Sequence, residues 1–247
     1  MRNGRSIDPT TGVFTRMLKS FSITCSALFL IATVARSESA PVIDPKAKAA
    51  LDAMSAFYKS QNSATCTYML DLVQQAGDKK DTMQLDFGVA AERPNKISFV
   101  QGKSTEGVDV VSDGKSLTVN IPHLKKYIVQ DAPGTISEAL EWGALSQLTG
   151  FSAIIGELMG PDPAAAFLDG VSEAKYVGEE DLDGKKHHRI RLIQEDMDVD
   201  LWIASGEKPF VSRMTPDLSK AISNPDVKIT LNIDLSEIGR ASCRERV

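Results

Sequence analysis

Cysteine is scarce in this chain of 247 residues: Cys25, Cys66 and Cys243 are too few for a disulfide framework. Long hydrophobic runs are scarcer still. The longest, residues 21–35 (FSITCSALFLIATVA), falls short of the ~20 residues that a spanning helix needs. The signatures of common catalysts are missing too: there is no GxSxG, Walker A loop, GxGxxG, HExxH or CxxC. Neither charge sign dominates, with 28 Lys+Arg against 33 Asp+Glu and a formal net charge of −5. With 42% hydrophobic residues, that excludes disordered, collagen-like and polytopic membrane classes and suits one globular domain.

The two ends read differently from the middle. Arg16 and Lys19 precede the apolar run and small residues close it at Ala35, which is the pattern of a secretory signal peptide. Residues 1–35 are therefore expected to be an export signal whose conventional start is Met17. The alternative is an uncleaved anchor. Cys25 lies inside the run, so no lipid attachment is expected. At the other end, residues 237–247 (EIGRASCRERV) break the preceding alternation and resemble an in-frame translation of a sequencing adapter. The alternative is a native basic tail. The two ends hold seven basic and three acidic residues, so residues 36–236 carry a net charge of −9. A chain of that charge repels nucleic acid and anionic membrane surfaces.

The middle shows no repeat and no linker, so residues 36–236 are expected to be one domain. Asp44-Pro45 caps a helix whose stripe is Ala47, Leu51, Met54, Phe57 and Tyr58. The period then drops to two. Met83, Leu85, Phe87 and Val89 share a face, as do Ile97 and Phe99, then Leu117, Val119 and Ile121. Asp113-Gly114 and Asp183-Gly184 are hairpin turns. Tyr127 and Val129 begin a further strand. Thr135 to Glu138 is a capping box opening a short helix through Leu140, Leu145 and Leu148; two more follow over Phe151 to Met159 and Pro163 to Leu168. Strands return at Ile190, at Met197 to Ile203 and at Val227 to Ile233.

Alternating strands make a sheet with one apolar face, which must be buried. The helices are its only cover. The expected class is α+β: a curved antiparallel sheet forming an incomplete β-barrel, lidded by the N-terminal helix and a short internal helical insert. Such a shape encloses an apolar cavity. Its candidate lining is Phe87, Ile97, Phe99, Leu117, Val119, Leu140 and Leu201.

Polar candidates are few. His187-His188 are neighbours on a strand, so their rings face opposite ways and share no metal easily. Glu179, Glu180, Asp181 and Asp183 lack the ligand spacing of a calcium loop and read as a solvated turn. Cys66 reads as a small core residue. Arg93 sits where one apolar-faced strand ends and the next begins. It is either a surface arginine or one that reaches the cavity mouth, where it could hydrogen-bond the carbonyls of a lid.

Arg93-Pro94-Asn95, then Val110 to Leu117 (VVSDGKSL), then Pro122 resemble the periplasmic lipoprotein carriers LolA and LolB. Ala132-Pro133-Gly134-Thr135, Tyr176-Val177-Gly178, Leu182-Asp183-Gly184 and Leu201 to Gly206 (LWIASG) bring the chain closer to an uncharacterised group of predicted periplasmic proteins of that fold. The resemblance spans most of residues 44–236 and implies a half-open barrel that holds acyl chains under helices, cut short at its C-terminal end. It implies that Arg93 ties barrel to lid. Thr118 departs from the aromatic frequent at that place in the carriers.

Two functions are expected from these features. One is an exported, monomeric, periplasmic binding protein holding a lipid or acylated, lipoprotein-like cargo. The other is a periplasmic sensor or interaction module that regulates an envelope protein without transporting lipid. No enzyme activity, cofactor, metal or nucleic-acid partner is expected, and no membrane span once the signal is removed.

Overall fold

A computed structural model of the chain describes residues 40–101, 108–141, 153–195, 197–220 and 227–236. The chain divides into two compact units, Met1–Glu38 and Ser39–Val247. The export signal and the adapter-like tail lie outside the described residues, as do Leu145 and Leu148.

The second unit opens with a two-residue strand, β1 (Val42–Ile43), and helix α1 (Pro45–Ser60). Asp44 caps α1 by accepting from the Lys46 amide at 2.7 Å, with Pro45 in the first turn. Ala47, Ala50, Leu51, Met54 and Tyr58 are its buried stripe. Six strands follow: β2 (Ser63–Ala76), β3 (Lys79–Glu92), β4 (Lys96–Gln101), β5 (Asp109–Ser112), β6 (Ser116–Ile121) and β7 (Lys126–Asp131). Three short helices interrupt them, α2 (Ile136–Glu141), α3 (Ala153–Leu158) and α4 (Pro163–Leu168). Then come β8 (Val171–Leu182), β9 (Lys185–Gln194), β10 (Asp198–Ala204), β11 (Val211–Asp217) and β12 (Val227–Leu235).

All the strands form one sheet in the order β1-β8-β9-β10-β11-β12-β2-β3-β4-β5-β6-β7. It is antiparallel except at one edge, where β1 pairs parallel with β8. The sheet does not close: β1 and β7 are its two ends. This is the incomplete barrel expected from the alternation.

The turns follow their residues. Asp113 accepts from the amides of Lys115 and Ser116 at 2.8 and 2.7 Å, folding the β5–β6 hairpin. Between β8 and β9 both Asp183 and Gly184 take positive φ, 55° and 77°, which suits this pair and few others. The capping box forms as written. Thr135 Oγ1 accepts from Glu138 N at 3.2 Å, and Glu138 Oε2 accepts from Gly134 N and Thr135 N at 2.9 and 3.2 Å.

One apolar core fills the space between the inner sheet face and the helices. The face includes Tyr68, Phe87, Phe99, Leu117, Leu192, Leu201, Leu231 and Ile233, and the helices add Leu51, Met54, Tyr58, Leu140, Leu158 and Phe167. Two details depart from expectation. β2 and β11 are strands that the sequence reading passed over. And Met83 is exposed, as are all of residues 75–84 around the tip of the β2–β3 hairpin.

The outer face between β8 and β12 carries a ladder of ions. Arg189 meets Glu180 and Asp200, both at 2.9 Å; Arg191 meets Asp198, Asp200 and Asp217; Arg213 forks onto Asp234. Trp202 Nε1 donates to Glu180 at 2.9 Å, and the Arg189 guanidinium lies 4.9 Å from the Trp202 ring centre. The Arg189 hydrogen bond holds Glu180 below the usual carboxylate range, and the Lys220 hydrogen bond does the same for Asp198. A carboxylate lowered by folding contributes stability above its unfolded pKa and loses it as pH falls through the folded value. Thermal unfolding followed by circular dichroism should therefore give a steady Tm from neutral pH to about 5 and a falling one below about 4. A Tm that stays level to pH ~3 would mean that the ladder contributes nothing to stability.

Candidate functional site

The lid is the place where the sequence puts polar chemistry next to an apolar face. Arg93 follows β3 and precedes β4. Its backbone is fixed by its own amide donating to Asn62 O at 2.9 Å. Its guanidinium then reaches under two helix ends. Nη1 donates to Tyr58 O at 3.0 Å and to Gln61 O, both at the C-terminus of α1. Nε donates to Met159 O at 3.0 Å and Nη2 to Gly160 O at 3.2 Å, both just past the end of α3.

These carbonyls lie at or just past helix C-termini, where the helix dipole gathers negative charge; Tyr58 O also accepts from Gln61 N at 3.1 Å. A planar cation with five N–H donors suits them. Burial lowers the Arg93 pKa, from a starting value so high that the group stays charged.

Asn95 extends the tie. Its side-chain amide donates to Gly114 O at 3.1 Å and Pro133 O at 2.9 Å, linking the β5–β6 turn to the chain entering α2. The helices are also tied to one another. Lys59 of α1 pairs with Asp162 at 3.2 Å, and Asp162 caps α4 through Ala165 N. α3 lies against α2 at Gly156, where a Cβ would stand 2.9 Å from Ser137 Cα. Only glycine permits that approach.

Beneath the lid the space is nearly full. Between α3 and the strands remains a cavity of about 20 Å³, lined by Tyr58, Cys66, Val89, Ile155, Met159 and Leu235 among others. That is room for about one water molecule. The Tyr58 hydroxyl accepts from Val211 N at 3.3 Å, and burial pushes its pKa far up. Burial likewise pushes the Cys66 thiol up to about 12.

All seven residues expected to line a cavity are buried in the core. Phe87 and Phe99 stack with ring centres 4.6 Å apart and Tyr68 edge-on to both. The β3–β6 pairings place Ile97, Phe99, Leu117 and Val119 on that same face, beneath Leu140 of α2. Leu201 lies apart, on β10 between Ile190 and Met214. None of the seven lines either described concavity. Large side chains interdigitate closely at these positions.

The second concavity is an open groove of about 610 Å³ on the other flank of α1. Ala49, Ala50, Ala53 and Ala204 form its walls, with Lys46, Tyr176 and His188 at its rim. Tyr176 Oη lies 3.0 Å from His188 Nδ1. The sequence reading missed this groove; its one signal was alanine at helical spacing along α1. His187 turns to the opposite face, where Nδ1 meets Lys185 O and Nε2 meets Ser212 Oγ, each at 2.8 Å. Among the described residues, no three His, Cys, Asp or Glu side chains converge as metal ligands.

An unclosed antiparallel sheet with helices latched over its apolar face defines a lidded half-barrel. The chain belongs to the family described as predicted periplasmic protein (DUF2092), whose profile matches residues 47–232. That agrees with the resemblance seen in the order of its motifs and with the periplasmic compartment expected from it. Among solved structures it is similar to the lipoprotein LppX of Mycobacterium tuberculosis, at 16% identity and TM-score 0.39, covering 83% of this chain and 98% of that one. It is similar to a LolA superfamily protein from Nitrosomonas europaea at 11% identity and TM-score 0.32, covering 79% and 93%. A third is MucB in the Pseudomonas aeruginosa MucA/MucB complex, at 12% identity and TM-score 0.35, covering 78% and 56%. No curated protein matches the chain. Among the described residues, no helix is long and apolar enough to cross a membrane.

Arg93→Ala removes the donors to four carbonyls at once. It is expected to cost about 2 kcal/mol, a Tm loss of roughly 4–8 °C for a domain of this size. The loss should be local. Cys66, now under a loosened lid, should gain thiolate character and react with iodoacetamide more than about tenfold faster at pH 8 than in the native chain, as located by peptide mass spectrometry. Equal labelling rates would mean that Arg93 does not hold the lid down. Gly156→Ala should cost about 1–3 kcal/mol by forcing α3 off α2, measured by denaturant unfolding.

Proposed function

We propose that this is an exported periplasmic binding protein that shelters a lipid or acyl-modified cargo beneath its helical lid. The observation that carries the reading is the Arg93 latch. It is a polar contact on two helix ends, set at the rim of an otherwise apolar interior. A lid meant only to complete a core needs apolar packing; one meant to open gains from a contact that water can replace.

In the closed form the space beneath the lid admits about one water, so cargo enters only as the helices lift. Each buried methylene then contributes about 0.8 kcal/mol, which works against the loss of lid contacts. The membership of a periplasmic family supports the compartment. The acidic surface of residues 36–236 suits diffusion through it without adhesion to anionic membranes. The role is binding, with no chemical step.

The test is to purify the protein from bacterial periplasm without detergent, extract it for lipid mass spectrometry, and titrate it with a fluorescent fatty acid. One acyl chain per protein, with saturable binding that Arg93→Ala shifts, is the expected result. An empty protein with no saturable binding would end the carrier reading.

A specific observation favours a second reading. The interior is filled by large side chains, which suits a sensor or interaction module that regulates an envelope protein through its surface. That reading expects capture of a defined envelope protein from solubilised membranes, with no lipid in the complex.

A further inference from the structure

β7 is one end of the sheet, and among the described residues its outer edge has no partner strand. Native edges are commonly blunted by charge, by proline or by a covering loop. This one is apolar at its centre: Tyr127 is 71% exposed, Ile128 44% and Val129 56%. Lysines stand at one end, Lys125 and Lys126, and Asp131 at the other.

The pairing with β6 shows how this edge is oriented. Ala132 N donates to Lys115 O at 2.8 Å, and residues 126–131 continue that ladder. Antiparallel alternation then turns the N–H and C=O of Lys126, Ile128 and Gln130 toward β6. Those of Tyr127, Val129 and Asp131 point outward. Side chains alternate as well. Ile128 sits beside Val119 on the inner face, and Tyr127 and Val129 sit beside Asn120 and Thr118 on the outer face.

We propose that β7 is a dimerisation edge, pairing antiparallel with β7 of a second copy about a two-fold axis through Ile128. Outward-pointing backbone must meet outward-pointing backbone, and like faces must adjoin. Both conditions place odd-numbered residues opposite odd-numbered ones. The register centred on Ile128 meets them. It sets Tyr127 opposite Val129 of the second copy, Ile128 opposite its own equivalent and Lys126 opposite Gln130, and it brings Lys125, in the left-handed turn just before the strand, beside Asp131.

The neighbouring permitted registers fail. Centred on Tyr127, Lys126 would face Ile128 and Lys125 would face Val129. Centred on Val129, Tyr127 would face Asp131 and Ile128 would face Gln130. Of these three registers, only the Ile128-centred one matches apolar with apolar and opposite charge with opposite charge at both ends. The contact is isologous and closed, so it stops at two copies.

The test is sedimentation of the full chain from micromolar to hundred-micromolar concentration. The native chain should dimerise. Lys125→Asp and Asp131→Lys should each weaken the dimer by about tenfold or more, because each sets like charges opposite at both ends. Aspartate also tolerates the left-handed backbone of residue 125, where φ is 51°. An equimolar mixture of the two variants should dimerise again, since each then meets its complement, and that recovery excludes misfolding as the cause. Ile128→Lys, which sets two cations face to face on the axis, should give a monomer. A native chain that stays monomeric overturns the proposal, as does a dimer indifferent to Ile128→Lys or a mixture that fails to recover. So does a monomer that binds anionic phospholipid vesicles through Tyr127, which would assign the edge to a membrane.

Discussion

One guanidinium bonds two helix ends to the corner between β3 and β4. Two helices that are far apart in sequence end at the same point, and their last carbonyls point at it. Without Arg93, carbonyl oxygens with partial charges of the same sign would gather at the rim of an apolar core, of which Tyr58 O keeps the Gln61 amide as a donor. Arg93 supplies the donors and the opposite charge together. It also joins the lid to the β3–β4 corner, which is the part of the sheet that carries the aromatic cluster.

The two sheet faces solve different problems. The inner face buries aliphatic and aromatic side chains against the helices, and its cohesion needs no direction. The outer face between β8 and β12 is held by ion pairs crossing strand to strand, with Asp200 and Asp198 each serving two cations. Such pairs contribute modestly to stability. They do set strand register, because a one-residue slip would turn every ion inward. The helices lie over the inner face, with α1 and α4 against β8 and α2 against β4 and β5.

Much of the fold was legible because local chemistry and tertiary structure agree. Asp44-Pro45, the Thr135–Glu138 box and the two Asp-Gly turns act within four residues of themselves, and each forms as the sequence implies. β2 was harder. Its inward residues are Ala64, Cys66, Tyr68, Leu70 and Leu72, a true alternation, but small and polar side chains blur its first half. β11 is blurred likewise, by Arg213 and Pro216 among its apolar residues. The open groove beside α1 is made of alanines, whose message is an absence of bulk that no spacing announces.

The sequence by itself determined the element types, the turns, the inner and outer faces and the class of architecture, since each depends on periodicity and on bonds between near neighbours. Only the tertiary structure decided what Arg93 touches. Its partners lie 32 to 67 residues away and are backbone carbonyls, which carry no residue identity to read. It also decided that the space under the lid is packed, because free volume is a difference between large sums of side chain and backbone placement. And it left β7 at the end of the sheet, a position that the spacing of Tyr127 and Val129 does not reveal.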